Sequence, residues 1–177
     1  MDPLPTGPPQ DPAAAPQPHR SADPASRALA WSLLQGARHA TLAVLDEAGW
    51  PMTSRIGLQL GADGVPLALL SDLALHSRAL CRDPRAALLI DGPANARGSP
   101  LSGPRLSLQV RAAPADPSLR PAQAADWRRR DPKAAIYLGL SDFRFWRLEP
   151  VGGLLNAGFG RAHLMTPADL AAPDTPA

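Results

Sequence analysis

Four side chains suited to holding an anion crowd into the stretch LLSDLALHSRALCRDP: Ser71, His76, Ser77 and Arg78. The apolar run before Ser71 reads as a strand, and LALHSRALCRDP reads as a short helix stopped by Pro84. Ser71 therefore stands where a strand gives way to a helix, the place where unpaired backbone N–H groups and the positive end of the helix dipole gather. Two hydroxyls, an imidazole and a guanidinium beside that end make a set suited to a phosphate. Asp72 opposes this unless it turns away. The plainer alternative is a Ser-Asp helix cap followed by surface arginines.

A second polar set lies on strands. In TSRIGLQL, alternation puts Thr53, Arg55, Gly57 and Gln59 on one face, with Ser54, Ile56, Leu58 and Leu60 on the other. RLSLQVRAA repeats the pattern, with Arg105, Ser107, Gln109 and Arg111 against Leu106, Leu108 and Val110. Each polar face equally suits the solvated side of an antiparallel sheet. Other chemistries find no residues. The histidines at 19, 39, 76 and 163 show no paired ligand spacing, so no metal site is expected. The Gly-x-Ser-x-Gly elbow, the Walker loop and the dinucleotide glycine fingerprint are all missing. Cys81 reads as a packing residue in mid-helix, Trp31, Trp127 and Trp146 as core or interface, and Trp50 as a turn residue.

The elements that must position these residues follow from periodicity. PASRALAWSLLQG is an amphipathic helix with Leu29, Leu33 and Leu34 on one stripe, Asp23 as its cap and Gly36 at its end. HATLAVLD, PMTSRIGLQL and VPLALLSD are strands joined by the short turns EAGW and GADG, which favours an antiparallel meander. RAALLID and PRLSLQVRAA are further strands around the loop GPANARGSPLSG. A helical segment interrupted at Pro132 and closing strands from Phe143 to Met165 complete the chain. Six or seven short strands with two or three helices suggest an antiparallel barrel with peripheral helices, a β-sandwich being the alternative.

The chain has 177 residues, room for one domain with a real core. Eight of the 22 prolines fall in its first 24 residues, so residues 1–23 are expected to be disordered; 24–166 form the folded domain, and 167–177 a loose tail. A formal net charge of +2 without a basic block gives no case for nucleic acid. One cysteine, no signal-like leader and no apolar run of about 20 residues point to a cytoplasmic protein off the membrane.

The order ATLAVLDEAGWPMTSRIGL, PLALLSDLALHSRALCRDPRAALLI, RLSLQVRA, FRFWRLEP, GFGRAHLM resembles the pyridoxamine 5'-phosphate oxidase-like flavoproteins, most closely their heme-iron utilisation branch. The likeness runs from about residue 27 to 165. It implies a mainly β fold, a six-stranded antiparallel split β-barrel, forming a homodimer with FMN in clefts at the interface. It gives the Ser71–Arg78 cluster the flavin phosphate, makes Thr53, Ser54 and Arg55 contacts to phosphate and ring, sets Gln109 beside the flavin, and brings Arg161 of GFGRA toward the site. His76 stands where relatives carry Lys or His. His163 is the one late histidine to weigh as a heme ligand against a strand-face role. The implied activity is oxidoreduction of a small molecule or heme, with no catalytic acid or base evident. The alternatives are heme or flavin binding without turnover, and a deazaflavin-dependent reductase.

Overall fold

The computed structural model describes residues 19–93, 102–158 and 160–173. Eight strands and five helices follow in chain order: β1 (Arg20–Ser21), α1 (Pro24–Gly36), β2 (His39–Leu45), β3 (Pro51–Leu60), β4 (Pro66–Ser71), α2 (Leu75–Arg82), β5 (Arg85–Asp91), β6 (Arg105–Pro114), α3 (Arg120–Arg130), α4 (Ala135–Leu138), β7 (Phe143–Asn156), β8 (Ala162–Met165) and α5 (Pro167–Leu170). Helix α1 starts as its sequence dictates: Asp23 accepts the Ser26 N–H while the Ser26 hydroxyl accepts the Asp23 N–H, a capping box. Pro132 ends α3 and opens a 3₁₀ turn that leads into α4.

Strands β2, β3, β4, β7, β6 and β5 pair antiparallel in that order, and β5 also pairs with β2, so a six-stranded barrel closes and no sandwich forms. Closure depends on β7, which is 14 residues long: its first half pairs with β4 while β6 runs along most of its length. A bulge between Gln109 and Val110 bends the β6–β7 ladder. Inside the barrel, Leu42, Ile56, Leu70, Leu88, Leu108, Trp146 and Leu148 pack as a core. Beyond the ring, β8 extends β7, and β1 pairs with β8 in parallel.

Strand β4 departs from the half-buried pattern, since Pro66 to Leu70 are all buried. Ala68 and Leu70 face the barrel, whereas Leu67 and Leu69 face outward into a second apolar cluster with Trp127, Ala134, Leu138 and Phe145. That cluster plasters α3 and α4 onto the outer wall and creates the depression described below. Gly57 lets the layer sit close: a Cβ there would lie 3.3 Å from the Trp127 ring.

The ordered ends reach further than composition suggests. Arg20 and Ser21 are paired in β1, and residues 167–170 form α5 under a Thr166–Asp169 capping box. The remainder of the proline-rich start, residues 1–18, lies outside the described residues, as do 94–101 of the Gly/Pro-rich loop, Phe159 and residues 174–177.

Candidate functional site

A cleft of about 790 Å³ opens between the outer face of β3, the β4–α2 junction and the α3–α4 layer. Arg55, Gly57 and Gln59, on the outward face that alternation assigns, form one wall. Ser71, Ala74 and His76 close one end, and Trp127, Tyr137 and Phe143 supply aromatic surface. Tyr137 and Phe143 stack on each other with centroids 5.5 Å apart.

Arg55 is exposed and has no hydrogen-bond or ion-pair partner among the described residues. At the start of α2, Ala74 provides no side-chain cap, and the N–H groups of Leu75 and His76 have no acceptor among the described residues. Asp72 is turned away into an ion pair with Arg144 of β7, which removes its objection to an anion. Ser71 is committed differently, because its hydroxyl donates to the Asp142 carboxylate at 2.5 Å and accepts the Leu73 N–H at 3.2 Å. Burial lowers the His76 pKa from its ordinary 6.5, which favours the neutral imidazole.

Thus Arg55, Ser71 and His76 share the cleft, and the other expected residues stand elsewhere. Thr53 is exposed on the same face of β3, two residues before Arg55, and does not line the cleft; Ser54 points to the other side. Ser77 is 2% exposed with its hydroxyl unpartnered, one helical step from His76 and thus turned about 100° away toward the core. Arg78 folds back onto the Leu73 carbonyl at 3.3 Å. Gln109 faces outward on β6, and Arg161 donates to the Ala157 carbonyl in the β7–β8 turn. His163 is 5% exposed, its Nδ1 lying 3.2 Å from the Ser21 carbonyl oxygen, so the ring is taken up by β1. Cys81 corrects the packing expectation: α2 turns it to solvent. Among the described residues no cluster of metal-ligating side chains occurs, and no helix is long and apolar enough to cross a membrane.

Sequence pattern alone missed Arg38, Arg130 and Trp127 as cleft residues. The signal available was the run WRRR at the end of an amphipathic helix, which places cations beside a buried indole.

A closed six-stranded antiparallel barrel with a cation-lined cleft on its outer wall defines a split-barrel protein. No family model matches the chain. A heme binding protein from Mycobacterium smegmatis is 30% identical, with a TM-score of 0.74 over 84% of this chain and 61% of its own. A protein of unknown function from Agrobacterium tumefaciens is 33% identical, with a TM-score of 0.75 over 86% and 62%. The chloroplastic heme oxygenase HOZ of Arabidopsis thaliana is 30% identical over 63% of this chain and 35% of the plant protein. The chain thus spans about a third of the curated relative's length. A Clostridium acetobutylicum protein of the pyridoxinephosphate oxidase family shares the fold at 13% identity, with a TM-score of 0.64 over 84% of this chain and 99% of its own. The chain thus has the split-barrel fold and is similar to heme-binding and heme-utilisation proteins of that fold, an architecture that the pyridoxinephosphate oxidase family shares.

Proposed function

We propose that the protein is a cytoplasmic homodimeric flavoprotein that binds FMN in this cleft and carries out a redox step on a small molecule or heme. The observation that carries the reading is the unpaired Arg55 guanidinium in one cleft with the free N–H groups that open α2. A single phosphate suits that set: Arg55 offers a fork of donors, and the helix start offers two more. The aromatic surface of the stacked Tyr137 and Phe143 suits a flat ring. When bound, the flavin supplies the electron transfer; the chain's own residues anchor the phosphate, position the ring and shape the cleft.

Barrel geometry supports the dimer. In the ring, β3 and β6 lie on opposite walls, three strands apart in either direction. Outward-facing Arg55 and Gln109 therefore meet across one ligand only if Gln109 comes from a second copy. Between them the wall carries no charge: cross-strand rows run Arg55, Thr41, Leu89, Ser107 and Thr53, Ala43, Ala87, Gln109. Such a neutral belt of small side chains suits burial against its own copy.

The test is the visible spectrum of the purified protein, with any released cofactor identified by mass and FMN affinity measured for Arg55→Ala. Flavin bands, an FMN mass and at least about tenfold weaker binding by the variant support the reading. A colourless protein that takes up no added FMN overturns it.

A second reading, heme binding without turnover, is favoured by the Asp142 carboxylate that holds Ser71 and by the burial that favours a neutral His76, since both weaken a grip on a phosphate dianion. The heme binding relative is consistent with it. Under that reading, added heme gives a shifted Soret band that persists with reductant.

A further inference from the structure

At the other end of the cleft two arginines stand together with no carboxylate paired to either among the described residues. Arg38 precedes β2, and its carbonyl accepts the Leu58 N–H, which places it beside the far end of β3. Arg55 lies three residues earlier on that strand, about 10 Å away at roughly 3.3 Å per residue. The Arg38 guanidinium donates to the Arg130 carbonyl at 2.9 Å, and Arg130 donates to the Gln35 carbonyl at 2.6 Å. Each side chain thereby ties a helix end and keeps most of its five N–H donors in hand. Neither forms an ion pair among the described residues. Asp131 lines the same end, yet its carboxylate accepts the Lys133 N–H and lies beyond ion-pair reach of both. Burial and the neighbouring Arg38 charge both push the Arg130 pKa down, so the pair is held at a cost that a bound anion relieves.

FMN carries one strongly anionic group, which the Arg55 end accounts for. A second basic end therefore calls for a second anionic group on a ligand of the same cleft. We infer that Arg38 and Arg130 form a carboxylate subsite that recognises the acid side chains of a tetrapyrrole lying in the cleft. Guanidinium forks match carboxylates in geometry, and Tyr137, exposed in the same cleft, offers surface for the macrocycle. This rests on the reading that the cleft takes heme as substrate or cargo.

The experiment titrates the full chain, in one detergent buffer, with iron protoporphyrin and with its dimethyl ester, following absorbance. The free acid should bind the wild type at least about tenfold more tightly than the ester, the size expected for charge-assisted bonds. In Arg38→Gln/Arg130→Gln the two should bind alike. Because both arginines also tie helix ends, the comparison is repeated in Arg55→Ala if that variant unfolds: the acid preference should survive there, and its loss overturns the subsite. Equal affinity of the wild type for acid and ester, or a preference that survives in the double variant, overturns the subsite while leaving heme binding in place. Failure to bind either porphyrin overturns both the subsite and the heme reading.

Discussion

His76 and Arg55 face one cleft, and burial of the imidazole pushes the His76 pKa down. A histidine whose folded pKa is depressed contributes stability that is present above its ordinary value near 6.5 and lost as pH falls below it, since the unfolded chain takes up the proton first. The wild type is therefore expected to lose stability relative to His76→Gln as pH is lowered from 7.5 to 5, read from paired denaturant melts. Parallel curves would show that the imidazole is not desolvated. Asp142 acts on the same end through Ser71. Asp142→Asn keeps an acceptor for the hydroxyl and removes a negative charge, so phosphate affinity should rise several-fold, measured by FMN titration at two salt concentrations. Only part of this arrangement was legible beforehand. Arg55, Ser71 and His76 were reachable because strand alternation and a strand-to-helix junction are local patterns. Arg38 and Arg130 were not, since each answers to a backbone carbonyl more than 90 residues away in the chain.

Elements set which side chains a helix or strand can offer. Alternation in β2, β3 and β6 was readable because one face of each meets a continuous core. The faces of α2 were not readable, for the helix packs by Ser77, Ala79 and Leu80 and leaves Cys81 outside, a choice made by the barrel. Strand β4, buried on both faces, likewise depends on the α3–α4 layer that covers it. Glycines mark where elements approach most closely. A Cβ at Gly153 would stand 2.7 Å from the Ser107 carbonyl and 2.9 Å from Leu108 on β6, in the ladder that closes the barrel. The first contact is backbone and does not yield by a rotamer change. Gly153→Ala should therefore cost about 1–3 kcal/mol, within the range for overpacking. Equilibrium denaturation checks this, and a loss under about 0.5 kcal/mol, typical of a surface change, would show that the ladder gives way locally.

The whole molecule poses the question that one subunit leaves incomplete. Gln109 and Arg55 are fixed on opposite walls of a closed barrel, and no rotation of side chains joins them. If they serve one ligand, two copies must meet across the wall of β2, β5 and β6, whose central rows are uncharged and where Leu89 is 37% exposed at the middle. Leu89→Lys places a charge there without touching the barrel interior, because residue 89 faces outward between the buried Leu88 and Ile90. A buried unpaired lysine is costly enough to split an interface and cheap on an exposed strand. Sedimentation should show the wild type as a dimer and Leu89→Lys as a folded monomer with the same melting temperature at low concentration. If Gln109 of a second copy completes the site, the monomer should also lose most of its affinity for FMN, although Arg55 and His76 are intact. A monomeric wild type would end the two-copy site. A monomeric variant that keeps full affinity would confine the site to Arg55, His76 and the α3–α4 layer of one chain.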